Sequence, residues 1–160
     1  MKMEMWRNWK EDFARSGEEF ELELFLNHLL CRLGVKQEEA ARLVPRITSI
    51  IYQSDLKSLV LKPTVKETLT KLQDTSFKLG MISNSSYSYD HIVEILNRLT
   101  IAHYFDSVLV SSKEKIRKPN PVIFERALRL LGASANNAVF VGDDPQVDIQ
   151  GAKNVGMKTI

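Results

Sequence analysis

The sequence predicts an α/β fold, a doubly wound parallel sheet joined to a small all-helical region. Residues 1–60 carry apolar residues at three- and four-residue spacing with no strand pattern. From residue 77 onward, short apolar runs alternate with helical stretches, the pattern of a parallel sheet with helices on its faces. Between them, Leu61-Lys62-Pro63-Thr64 marks a joint, because Pro63 biases its predecessor to an extended conformation. The expected division is 1–60 for the helical region and 61–160 for the α/β core.

The elements follow in order. Trp6, Trp9 and Phe13 share one helical face. Phe20 to Leu33 carries a wide apolar stripe that Gly34 closes. Ala40, Ala41, Val44, Ile47, Ile50 and Ile51 make a third helix, with Pro45 predicting a kink or break. Past the joint, Val65, Leu69 and Leu72 line the buried face of a helix. Phe77 to Ile82 reads as a strand and Tyr87 to Leu99 as a helix, with Ser85 or Ser86 as its cap. Ser107 to Val110 is a second strand. Pro121 to Leu131 is a helix capped by Asn120 and stopped by Gly132. Ala138 to Val141 is a third strand, Val147 to Val155 a helix stopped by Gly156, and Met157 to Ile160 a fourth strand.

Composition narrows the classes. Of 160 residues, 44% are hydrophobic and 26% charged, ordinary for a globular domain. The net charge of +2 is too small to argue for nucleic acid or a membrane surface, so neither is expected as a partner. The single cysteine, Cys31, rules out a disulfide within the chain and fits a cytoplasmic location. It is expected to be a buried small hydrophobe. No apolar stretch is long enough to span a bilayer, and the first residues lack a signal-peptide core.

Ligands of such sheets bind outside the carboxyl ends of the strands. Three groups fall there. Ser83 ends the strand in Met81-Ile82-Ser83-Asn84, where its hydroxyl and nearby N–H groups suit an anion. Taken alone, a serine there reads first as a turn or cap residue. Lys118 lies between Arg117 and Pro119, ahead of a proline-opened helix that stiffens its loop. Asp143, Asp144 and Asp148 follow an apolar strand. Carboxylates this close repel unless a cation is present, and hard oxygen ligands suit Mg2+. An acidic helix start is the plainer explanation. As a set, hydroxyl, ammonium and carboxylates make a phosphate-plus-metal site. A response-regulator receiver uses a similar set, but there the acids come first, and here they come last.

The order and wording resemble the haloacid dehalogenase-like hydrolases, most of which are phosphatases. Ile82-Ser83-Asn84 is similar to that family's second motif. Lys118-Pro119-Asn120-Pro121-Val122-Ile123-Phe124 is similar to its third. Gly142-Asp143 through Asp148 to Gly151-Ala152 is similar to its fourth. The likeness covers about residues 60 to 160, and the helical first third resembles the family's mobile cap. It implies a Rossmann-like core and a small phosphorylated molecule as substrate. Ser83 and Asn84 would contact substrate, and Lys118 would neutralise phosphate and nucleophile. Asp143 and Asp144 would hold Mg2+, and Asp148 would orient Lys118 or a metal-bound water.

The family's first motif, Asp-x-Asp after an apolar strand, supplies the nucleophile and the general acid/base. The sequence contains no Asp-x-Asp, and Asp12, Asp55 and Asp74 are not substitutes. In the family that strand lies between those ending at Ser83 and Asp143. Without it, the two strands are expected to face a gap, each buried unpaired group costing roughly 1–3 kcal/mol. The expectation is an incomplete copy, inactive alone. The alternatives are a non-catalytic module binding phosphate and Mg2+, or part of a split, homo-oligomeric or strand-exchanged assembly joined through open sheet edges.

Overall fold

The computed structural model describes Glu19 and residues 21–160. The expected first helix, with Trp6, Trp9 and Phe13, lies outside the described residues.

Two helices lead. Helix α1, Leu22–Arg32, buries Leu22 and Phe25, three positions apart. It ends where Gly34 takes a φ of 89°, a conformation glycine adopts without steric cost. Helix α2, Gln37–Ser58, buries Ala40, Val44 and Thr48 at four-residue spacing and packs against α1. Pro45 does not break it. The proline sits on the exposed side, where its missing N–H faces water. Cys31 is half-buried rather than buried, its thiol donating to Gln37 Oε1 at 3.1 Å.

After the joint, Thr64 takes a left-handed conformation and helix α3, Val65–Asp74, begins. It packs on the short turn Ala102–Tyr104, where Thr70 Oγ1 and Tyr104 Oη lie 2.8 Å apart.

Strand β1 is Gly80–Ser83, shorter than expected. Phe77 is exposed, and Leu79 N donates to the Asp106 side chain instead of to a strand. Helix α4 is Tyr89–Arg98. Its cap is Ser88, which accepts from His91 N, rather than Ser85 or Ser86. Strand β2, Ser107–Val110, has the expected bounds and runs parallel to β1, with Ser83 opposite Val110. A short helix α5, Ser111–Glu114, follows. Helix α6, Pro121–Leu131, is capped by the Asn120 side chain and ended by Gly132 at φ 63°, as its sequence predicts.

Strand β3, Val139–Phe140, and strand β4, Lys158–Thr159, form a second parallel pair. Bonds from Ile160 N to Phe140 O and from Gly142 N to Ile160 O extend it. Between them the chain turns through a π-helical stretch, Pro145–Gln150, and helix α7, Gly151–Asn154. A single regular helix was expected here.

Among the described residues the strands make two separate pairs, β1–β2 and β3–β4. Helix α6 joins them. It packs on β1, β2 and α7, and its Phe124 ring meets Phe140 edge-on at 5.1 Å. Leu109, Ile123, Phe124, Ala127 and Ala152 form the core, with Ile82 and Phe140 against it. Phe124 is fully buried, so its truncation would remove roughly 3–5 kcal/mol.

Candidate functional site

Three loops meet at the carboxyl ends of these strands. The first carries Ser83 and Asn84 after β1. The second runs from α5 to α6 and holds Lys118. The third, after β3, holds Asp143, Asp144 and Asp148.

Asn84 ties the first loop to the second. Its side-chain N–H donates to Lys118 O at 2.9 Å, and its carbonyl oxygen accepts from Lys118 N at 2.8 Å. The side chain therefore pairs with the Lys118 backbone much as a strand would. Ser83, half-buried, lies one residue before this clamp.

Lys118 ties the second loop to the third. Its Nζ lies 2.7 Å from Asp148 Oδ1, with the two side chains only 11% and 7% exposed. The contact is an ion pair without a well-aligned hydrogen bond to that oxygen. The Phe140 ring lies 5.4 Å from the ammonium and closes this side to water. Gly142 makes room for Asp148, since a Cβ at Gly142 would stand 2.6 Å from Asp148 Oδ2.

The other acids separate in role. Asp144 Oδ1 accepts from Gln146 N and Val147 N, both at 2.9 Å, and so caps the π-helical turn. Asp144 N donates to Asp148 Oδ2 at 3.3 Å. Asp143 is exposed, with no partner among the described residues. The three carboxylates thus do not converge. Among the described residues no three His, Cys, Asp or Glu side chains gather as a metal-ligand set. The residues present do not make a Mg2+ site by themselves. Among the candidate residues, these loops carry three carboxylates and one ammonium. A phosphate dianion would be repelled unless hydrogen-bond donors or a cation offset them.

Sequence reasoning missed a buried network beside this site. Glu19 Oε2 accepts from Ser111 Oγ at 2.5 Å, and Glu19 Oε1 lies 3.4 Å from Arg117 Nη1. Ser111 Oγ in turn accepts from Ser85 N at 2.8 Å. The segment entering α1 is thereby fastened to the loops carrying Asn84 and Lys118. Ser111 followed an apolar strand in the sequence, but nothing local tied it to a glutamate 92 residues away.

A second missed cluster lies where α2 meets α4. His91, 3% exposed, stacks on Tyr52 at 3.9 Å and meets Tyr87 edge-on at 5.3 Å. Tyr52 Oη donates to Glu23 Oε1 and accepts from Ser88 N. Burial lowers the His91 pKa below its usual value, against the pull of Glu94 and Asp55. Burial, helped by Asp55, pushes the Tyr87 hydroxyl up to about 12. His91 is thus packed between two tyrosine rings. A cleft of about 530 Å³ opens nearby, lined by Glu21, Glu23, Ser86, Tyr89, Lys113 and Lys115. It includes none of Ser83, Lys118 or Asp148.

The family model of the haloacid dehalogenase-like hydrolases matches residues 10–160, nearly the whole chain. The chain belongs to the haloacid dehalogenase-like hydrolases. Among curated hydrolases of this kind, it is 36% identical to the glyceraldehyde 3-phosphate phosphatase of Methanopyrus kandleri, over 94% of this chain and 66% of that protein. It is 41% identical to the protein of the same name from Methanothermobacter thermautotrophicus, over 69% of this chain and 49% of that one. In fold it is similar to a 2-haloacid dehalogenase from Pseudomonas syringae pv. Tomato, with a TM-score of 0.73 and 32% identity over 86% of this chain and 56% of that one. A haloacid dehalogenase-like phosphatase from Thermococcus onnurineus gives a TM-score of 0.62 at 27% identity, over 85% of this chain and 75% of that one. The chain thus spans two thirds or less of these curated relatives' lengths. No helix among the described residues is long and apolar enough to cross a membrane.

Proposed function

We propose that this chain is the phosphate-holding part of a phosphoric monoester hydrolase acting on a small phosphorylated metabolite. The observation that carries this reading is the linkage Asn84–Lys118–Asp148, which ties together the three motif loops at the carboxyl ends of the two strand pairs. The relatives named glyceraldehyde 3-phosphate phosphatase support a phosphorylated three-carbon or similar small substrate. In this reading Ser83 donates its hydroxyl to a phosphate oxygen and Lys118 supplies positive charge. Asp148 holds Lys118. Asp143 is the carboxylate the chain would offer to Mg2+, and Asp144 would add only the oxygen not used in capping. The remaining ligands would have to come from outside the described residues. A cytoplasmic location, with no nucleic acid or membrane as partner, belongs to the same reading.

The sequence holds no Asp-x-Asp to attack phosphorus, so the 160-residue chain is inferred to be inactive by itself. The test is an assay with p-nitrophenyl phosphate in MgCl2. No release of nitrophenol above buffer is expected. Turnover that disappears in Asp143→Asn would overturn the inference. Inorganic phosphate, titrated with and without MgCl2, is expected to bind more weakly to Ser83→Ala and Lys118→Ala. Absence of binding at millimolar phosphate would refute the phosphate site.

The separate pairs β1–β2 and β3–β4 favour a second reading, one part of a strand-exchanged assembly. Light scattering should then give a mass above 18.3 kDa, and a monomer at high concentration would reject it.

A further inference from the structure

We propose that Asn84 is a positioning residue that acts through Lys118 rather than a group that touches substrate. The proposal rests on the phosphate reading above and assigns Asn84 a different part in it.

A side-chain amide offers one acceptor oxygen and one NH2 donor group. In Asn84 the oxygen accepts from Lys118 N at 2.8 Å, and the nitrogen donates to Lys118 O at 2.9 Å. Both ends are engaged by one residue's backbone, in a part-buried setting. Such an amide cannot turn to follow a ligand without breaking two hydrogen bonds together. Few other side chains reproduce the pairing. Aspartate keeps the acceptor and loses the donor, and glutamine is a methylene longer.

The consequence falls on Lys118. A lysine is a point charge on a flexible stem, so its ammonium goes where its two ends are held. At one end Asp148 Oδ1 holds Nζ at 2.7 Å. At the other, Asn84 holds the main chain. Because Ser83 adjoins Asn84, the same pair of bonds ties the loop carrying Ser83 to the lysine's main chain. A residue with this duty has no need to contact phosphate itself.

A double-mutant cycle on the 160-residue chain separates the two roles. Inorganic phosphate is titrated into wild type, Asn84→Ala, Lys118→Ala and the double variant. Residue-specific acetylation of Lys118 by acetic anhydride is read by mass spectrometry, with Lys113 and Lys115 as controls. Asn84→Ala is expected to weaken phosphate about tenfold, the loss of two hydrogen bonds. In the Lys118→Ala background it should change affinity less than about twofold. Lys118 alone should acetylate faster in Asn84→Ala, and Asn84→Asp should fall between. An equal loss of affinity in both backgrounds would make Asn84 an independent ligand and overturn the proposal. If wild type binds no phosphate, the phosphate reading fails and the labelling decides. A rise confined to Lys118 upholds the positioning role, and unchanged Lys118 labelling overturns it. Should Asn84→Ala not fold, Asn84→Asp carries the same comparison.

Discussion

The Lys118 ammonium is matched to the Asp148 carboxylate at 2.7 Å inside the protein, with both side chains almost out of water. The pair links the loop before α6 to the loop after β3.

Breaking that pair from one side should be costly. Asp148→Ala leaves a buried ammonium without its counterion and is expected to lose roughly 3–5 kcal/mol in urea unfolding. Lys118→Met combined with Asp148→Leu should recover much of this, since neither charge then remains. A loss below about 1 kcal/mol for Asp148→Ala would show that water reaches the ammonium readily.

Gly142 should tolerate no side chain. A Cβ there would stand 2.6 Å from Asp148 Cγ. Gly142→Ala is expected to destabilise by about 1–3 kcal/mol and to raise Lys118 acetylation as Asp148 is pushed aside. Wild-type stability in that variant would mean that the loop moves freely.

Asp143 and Asp144 should respond differently although they are neighbours. Asp144→Ala removes a cap that accepts two backbone N–H groups and should cost about 1 kcal/mol. Asp143→Ala, exposed and unpaired among the described residues, should stay within about 0.5 kcal/mol. Guanidinium melts of the two variants decide this, and equal losses would contradict the assignment of the cap.

Acid should weaken the packing of α2 on α4. The His91 pKa is lowered in the folded state, chiefly by burial. Below the ordinary value of 6.5 the unfolded chain takes up a proton that the folded chain resists. Stability contributed at His91 is thus complete above that pH and falls as pH drops below it. The opposing carboxylates Glu94 and Asp55 limit the fall, and Tyr52 and Tyr87 stay neutral across this range. Melting temperatures at pH 7.5 and 5.5 should differ more in wild type than in His91→Phe. Identical differences would show that His91 charges without cost.

The sequence was most legible where a local rule suffices. Asn120, Pro121 and Gly132 bracket α6 because a cap, a proline at the first turn and a glycine stop are all short-range signals. The second strand, Ser107–Val110, was legible at its bounds as one of the short apolar runs alternating with helices. Ser83 and the loop from Asp143 to Asp148 could be assigned to the carboxyl ends of strands, since topology alone puts ligand loops there. What escaped depended on distant partners. The use of Asn84 on the Lys118 backbone spans 34 residues, and the bond of Glu19 to Ser111 spans 92. No residue spacing encodes either. The acids were legible in part. Asp148 turns to Lys118, as the family resemblance implied, whereas the closeness of the three in sequence suggested a convergence that Asp144, turned toward its own backbone, does not make. Pro45 misled because a proline on the wet side of a long amphipathic helix loses little.

The two ladders share no hydrogen bond among the described residues and meet through side chains on α6, above all Phe124 against Phe140. Packing of that kind couples motions less strictly than a continuous ladder. The β1–β2 amides and the β3–β4 amides should therefore keep different clocks in hydrogen exchange. The longer four-residue pair should open only with the whole domain, and the two-residue pair earlier. Phe124→Leu would then widen the interval between the clocks before it lowers the stability of either pair, making one aromatic contact the measure of how far the two ladders act as one.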